Sequence, residues 1–203
     1  MTPLQRHCAF FDRNHDGIIM PWETYEGFRV LGYGLILSFF GTAVVHLFLS
    51  YWTLDSWVPD PFFPILVKNV DRLKHGSDSQ LYNHNGTLKQ VSEPQKEGEE
   101  PMINFLKQKA FPRNYTRGSI SLQENAKGLS FTQLWKWTQL NWDIFDVFGF
   151  FANKVEWFYL WILCQNNGTL HWEDMRDQYD GTLFERIERK RKPVGLGIPN
   201  SDE

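Results

Sequence analysis

Asp12-Arg13-Asn14-His15-Asp16-Gly17-Ile18-Ile19-Met20-Pro21-Trp22-Glu23 sets side-chain oxygens at its first, third and fifth positions and a carboxylate at its twelfth. Asp12, Asn14 and Asp16 can converge on one point, and Gly17 allows the sharp turn that brings them there. Ile18 offers a backbone carbonyl, and Glu23 can bind through both oxygens. A hard cation that wants six to eight oxygens suits this spacing, so the stretch is expected to be an EF-hand calcium loop between two helices. Met20 at the ninth position has no side-chain oxygen, so water or backbone must fill that direction. Ile19 at the eighth position is the apolar residue of a short strand that normally pairs with a second hand. Gln165 to Asp174, with Gly168 at its turn, is a degenerate candidate for that partner. Leu163 would occupy its first position and cannot ligate, so the expectation is a metal-free hand paired with the first, against an ordinary helix–turn–helix.

Downstream of the loop the chain turns apolar. Between Arg29 and Asp55 there is no Asp, Glu, Lys or Arg. About 25 helical residues would extend roughly 37 Å, enough for a hydrocarbon core of about 30 Å. His46 is the only ionisable group of the acid, base or imidazole type in the run. The cluster Pro59-Asp-Pro61-Phe-Phe-Pro64 removes backbone donors and breaks the helix. Positive residues flank both sides, Arg29 before and Lys68, Arg72 and Lys74 after. Both ends are therefore expected on the cytoplasmic face, with the segment entering as a monotopic hairpin that turns at the prolines.

Four regions follow. Residues 1–29 are the calcium-binding region, 30–67 an apolar anchor with its proline cluster, 68–130 polar and loop-rich, and 131–203 a helical region with the degenerate hand. The expected class is mainly α. The tail from Lys190 is basic, then rich in Gly and Pro, and is expected to fray. The net charge of −3 argues against nucleic acid as a partner. Aromatics reach 16% with nine Trp, which suits either an aromatic core or a membrane interface. Two cysteines, Cys8 and Cys164, form no disulfide framework and no zinc pattern. Sequons at Asn85, Asn114 and Asn167 follow no secretory leader and are expected to stay unmodified.

Six stretches resemble, in order, the motifs of the caleosins. They are Leu4-Gln-Arg-His7-Cys-Ala-Phe-Phe-Asp12 with the calcium loop, Pro21-Trp-Glu-Thr-Tyr25, Pro61-Phe-Phe-Pro64, Lys74-His75-Gly-Ser-Asp78, Trp142-Asp-Ile-Phe145 and Tyr179-Asp-Gly-Thr-Leu-Phe184. The resemblance covers nearly the whole chain. It implies a haem protein that uses hydroperoxides to oxygenate unsaturated fatty acids. It further implies residence on the lipid-droplet monolayer or endoplasmic-reticulum membrane, calcium dependence, and two haem-associated histidines matching His7 and His75.

The residues alone would not suggest haem, because an isolated His is more often structural than a ligand. No Cys-x-x-Cys-His motif is present, so haem b would be held noncovalently. Under the resemblance His7 is the axial ligand, and His75 is either a second ligand or the distal acid–base group. Cys8 is a weaker rival to His7. His7 lies five residues before Asp12, so calcium is expected to orient the helix that carries it. The rival function is a non-enzymatic calcium-binding tether of lipid droplets. Whether the chain forms oligomers stays open.

Overall fold

The computed structural model describes residues 1–73, 87, 102–103, 106–107, 127–139 and 145–191, and these are mainly helical. Helix α1 (Pro3–Ala9) starts from a reciprocal cap. Thr2 Oγ1 accepts from Gln5 N at 3.2 Å, while Gln5 Oε1 accepts from Thr2 N at 2.9 Å. The Asp12–Glu23 loop follows, with strand β1 (Ile18–Ile19) inside it, and helix α2 (Pro21–Val30) leaves it. Pro21 occupies the first turn of α2, where a missing N–H costs nothing.

The charge-free run is not one helix. Chain direction changes at Gly32, whose φ is +92°, and helix α3 (Leu35–Thr53) begins afresh. The left-handed φ favours glycine here, and the guanidinium end of Arg191 packs over the open Cα, 1.4 Å from where a Cβ would stand. The apolar helix is 19 residues long, or about 28 Å.

The chain does not return from α3 as an antiparallel hairpin. It doubles back through residues 54–62, then runs beside α3 in the same direction. His46 meets Phe63, Ser50 meets Pro64, and Thr53 meets Leu66. Strand β2 (Ile65–Leu66) and a 3-10 helix (Val67–Leu73) complete this return arm. The reason is local. Prolines cannot donate, so the carbonyls of the cluster need outside donors, and α3 supplies them along one stripe.

The C-terminal half contains strand β3 (Gly128–Ser130), helix α4 (Phe131–Gln139), helix α5 (Val147–Cys164), strand β4 (Thr169–His171), helix α6 (Trp172–Asp180) and helix α7 (Leu183–Arg191). Helix α5, the turn at Asn167 and Gly168, β4 and α6 form the second helix–loop–helix. Its expected strand pairing with the first hand does not occur. Strand β1 pairs with β2, Ile18 opposite Leu66 and Ile19 opposite Ile65. Strand β4 pairs with β3. Each loop strand is taken by a partner nearer to hand, and the two halves meet instead where α1 packs on α6.

The main core gathers Phe10 and Phe28 from the calcium hand with Trp137, Trp157, Tyr159, Leu170, Met175 and Phe184 from the C-terminal half. A satellite cluster of Ile19, Ile65, Val67 and Val70 sits under the β1–β2 ribbon. Cys8 and Cys164 are free thiols.

Candidate functional site: the calcium hand, its histidine and its anchor

Asp12 and Glu23 are buried, at 5% and 3% exposure, and neither forms an ion pair among the described residues. The positive side chain between them in sequence order, Arg13, reaches outward to Glu188 at 3.1 Å and Glu26 at 3.9 Å. Two buried carboxylates without a counter-charge are costly, and a divalent cation is the natural remedy. Backbone amides hold the loop in shape meanwhile. Asp12 Oδ1 accepts from Asp16 N at 3.1 Å, and Oδ2 from Gly17 N at 2.9 Å. Asn14 Oδ1 accepts from Asp16 N at 3.0 Å, and Asp16 Oδ1 from Ile18 N at 2.8 Å.

Glu23 Oε2 accepts from Met20 N at 2.8 Å, while Oε1 accepts from Arg13 N and Asn14 N at 3.1 and 3.2 Å. Glu23 thus caps α2 as well as offering its carboxylate to the loop. His15 and Gly17 take left-handed φ values of +61° and +85°, which coil the loop tightly. Among the described residues no three His, Cys, Asp or Glu side chains close around a common point. The oxygen-only donor set, the buried charge and the coiled backbone nonetheless fit calcium.

His7 sits in α1, directly before the loop. Its ring lies against Phe184 of α7, centroids 4.9 Å apart. Gly181, at φ +81°, turns α6 into α7 against α1, and a Cβ there would lie 2.7 Å from Pro3 O and 2.8 Å from His7 N. The first and last caleosin-like motifs therefore close on each other around His7. Burial holds the His7 imidazole down to about 4, so it is neutral at physiological pH. A neutral imidazole is the form that ligates iron. Burial, aided by Glu156, pushes the neighbouring Cys8 thiol up to about 12, which makes it a poor thiolate rival.

The donor chemistry of His7 fits haem, but its ring faces Phe184. A cavity of about 10 Å³, room for one water, is lined by Phe131, Leu134, Trp135, Thr138, Lys154, Trp157 and Phe158, not by His7. His75 lies outside the described residues.

Sequence reasoning did not find the inner stripe of α3. Ser38, Thr42, His46, Ser50 and Thr53 are all buried, while Leu35, Ile36, Phe39, Phe40, Leu47, Phe48 and Trp52 are exposed. The helix is polar inside and oily outside. His46 Nδ1 lies 2.7 Å from Phe63 O, and Nε2 lies 2.7 Å from Thr24 Oγ1. A carbonyl can only accept, so Nδ1 carries the proton and Nε2 accepts from the Thr24 hydroxyl. Ser50 Oγ donates to Pro64 O at 2.6 Å, Leu66 N donates to Thr53 Oγ1 at 3.1 Å, and Asn69 Nδ2 donates to Thr53 O at 2.7 Å. The signal was present as a period of three to four polar residues within an apolar run, opposite in sense to a water-facing helix.

That stripe decides how α3 sits against the rest of the chain. A crossing helix would lose the five hydrogen bonds that join it to the calcium hand and the return arm. Left unmade in an apolar medium, each costs about 1–3 kcal/mol. Keeping them leaves α3 lying along the protein body with one apolar face outward. Around its C-terminal end, Trp57, Val58 and Phe62 of the loop extend the apolar surface, Trp57 at 92% exposure, with the Asp60 carboxylate between them accepting from Phe62 N at 2.8 Å. Asp55, held by Lys68 at 2.6 Å and Arg72 at 3.2 Å, keeps that end near water.

Comparison with known proteins agrees with these motifs. The family described as caleosin-related protein matches residues 1–93 and 108–188. A protein named Peroxygenase from Lilium longiflorum is 36% identical over 192 residues, covering 94% of this chain and 72% of the relative. Probable peroxygenase 4 from Arabidopsis thaliana is 36% identical over 189 residues, covering 93% and 86%. A probable inactive peroxygenase-like protein from Arabidopsis thaliana is 25% identical over 166 residues, covering 82% and 70%. No solved structure matches the chain. With its motifs in order along the sequence, and with matches of this extent, the chain belongs to the caleosin family.

Proposed function

We propose that this chain is a calcium-binding haem peroxygenase, which transfers oxygen from a hydroperoxide to unsaturated fatty acids. It works at the cytoplasmic face of lipid droplets or endoplasmic reticulum. The names of the relatives support the activity. The observation that carries the reading to particular residues is the half-buried imidazole of His7, set against Phe184 and the Gly181 turn where the first and last family motifs meet.

When bound, haem b supplies O–O cleavage and oxygen-atom transfer. His7 offers the nitrogen donor, and Phe184 fixes the plane of its ring. His75 is the second haem-associated residue of this reading. Asp12, Asn14, Asp16, the Ile18 carbonyl and Glu23 hold calcium. Because Asp12 N donates to Ala9 O at 3.1 Å, the loop begins directly where the His7 helix ends. Calcium at Asp12 therefore fixes the end of α1. The same reading divides the chain into calcium hand (1–29), anchor (30–67), polar region (68–130) and helical C-terminal region (131–203). The outward apolar face of α3 supports lipid association.

The test is oleate epoxidation with cumene hydroperoxide, with and without a calcium chelator, beside the Soret spectrum. Wild type is expected to show a Soret band and epoxide. His7→Val is expected to lose both while still binding calcium. Folded wild type that stays colourless with haemin yet titrates with calcium would leave the second reading, a structural tether, in its place.

A further inference from the structure

In an ordinary EF-hand pair, the strand in one loop hydrogen-bonds to the strand in the other, and that ribbon joins the two ion sites. Here the place of the second loop is filled by the return arm of the lipid anchor. Ile18 and Ile19 of the calcium loop pair with Leu66 and Ile65, and Val67 N donates to Gly17 O at 3.0 Å. The other end of the loop is tied as well. Thr24, the residue after Glu23, gives its hydroxyl to His46 Nε2 at 2.7 Å, and His46 Nδ1 donates to Phe63 O at 2.7 Å. Phe63 is a non-glycine residue at φ +51°, a conformation that needs outside support, and the His46 hydrogen bond supplies some of it. Ahead of Phe63 stand the uncharged, outward residues Trp57, Val58 and Phe62.

We infer that calcium binding and lipid binding are thermodynamically linked, with His46 as the positioning residue that carries the link between Thr24 and Phe63. The inference rests on the lipid-anchor reading and adds to it a reciprocal effect on calcium. Lipid that takes up Trp57, Val58 and Phe62 fixes the chain leading into Phe63. The fixed arm then presents a formed strand to Ile18 and Ile19, and His46 holds Thr24 and the start of α2 beside Glu23. The loop is preorganised before the ion arrives, so less ordering is lost on binding. By linkage, calcium must tighten lipid association by the same factor. Lipid thus takes the role that a second calcium-loaded hand would take.

The experiment uses the full-length protein, uncharged phosphatidylcholine vesicles containing triolein, and calcium titration by calorimetry, with vesicle flotation as the second readout. Uncharged lipid keeps calcium from bridging protein to headgroups. Wild type is expected to bind calcium on the order of tenfold tighter with vesicles than without, within the usual range of coupling between two sites. Flotation should rise by a matching factor when calcium is added. His46→Ala should bind calcium equally well with and without vesicles. Thr24→Val, which keeps volume and removes only the hydroxyl, should show the same loss and guards against misfolding of the first variant. His46→Gln, able to donate and accept, should regain most of the lipid effect. Equal calcium affinity in wild type with and without vesicles, while the protein floats, overturns the linkage alone. A wild type that never floats overturns the anchor reading with it. A full lipid effect in both His46→Ala and Thr24→Val removes His46 from the path.

Discussion

At the scale of single residues, Gly181 joins a left-handed backbone to close backbone neighbours. Its left-handed backbone and the 2.7 Å approach of a would-be Cβ to Pro3 O leave no room for a side chain. Gly181→Val should destabilise the fold by about 2 kcal/mol or more, from strain and from lost contact between α1 and α6. Chemical denaturation checks this, and a loss below about 0.5 kcal/mol would show that the turn adapts freely. His7 gives a pH signature. Its folded pKa, about 4, is depressed below the unfolded value of 6.5. Its burial as a neutral group therefore costs no stability above pH 6.5, and stability is lost as pH falls from 6.5 through 4. A shift of this direction amounts to roughly 2 kcal/mol once partial exposure is discounted. In haem-free protein, His7→Leu should flatten that acid limb of the stability curve. An unchanged limb would place the titrating group elsewhere. The sharp turn at Gly17 was legible from residue type and spacing alone, because glycine takes its φ of +85° without strain. The roles of Phe184 and Gly181 were not, since both depend on contacts across the whole length of the chain.

At the scale of elements, α3 was legible as apolar but its orientation was not. A run with no charge reads as lipid-compatible whichever face is inward, and the stripe of Ser38, Thr42, His46, Ser50 and Thr53 gains meaning only when its partners are known. Phe39→Glu with Phe48→Glu, both on the outer face, should leave the stripe intact and abolish vesicle flotation. Persistent flotation would move the lipid contact to another surface. Ser50→Val removes the donor to Pro64 O and should cost about 1–3 kcal/mol with the outer face untouched, measured as a fall in unfolding midpoint. The pairing of the two hands failed as an expectation for a related reason. A strand of two residues has little sequence character of its own, and it takes whichever strand the turn chemistry places beside it.

At the scale of the whole molecule, the helix–loop–helix of α1, the Asp12–Glu23 loop and α2 is the hub. It meets the C-terminal half through α1 and Arg13, and the anchor through β1 and Thr24. Ion binding should therefore raise the stability of the entire unit by mass action, about 2.7 kcal/mol at a hundredfold excess over the dissociation constant. Thermal unfolding with calcium against chelator reads this directly. Absence of any shift, with binding seen by calorimetry, would mean that the loop orders without engaging the rest.

Every partner of the α3 stripe named above, from Thr24 to Asn69, lies within one short stretch of chain. The inner side of α3 from His46 to Thr53 can thus be covered while later residues are still on the ribosome, whereas Leu37 and Gly41 wait for Tyr159. The Arg191 contact at Gly32 and the Phe184 contact at His7 both wait for residues 181–191, so the outer face of α3 can be set before the His7 imidazole is enclosed.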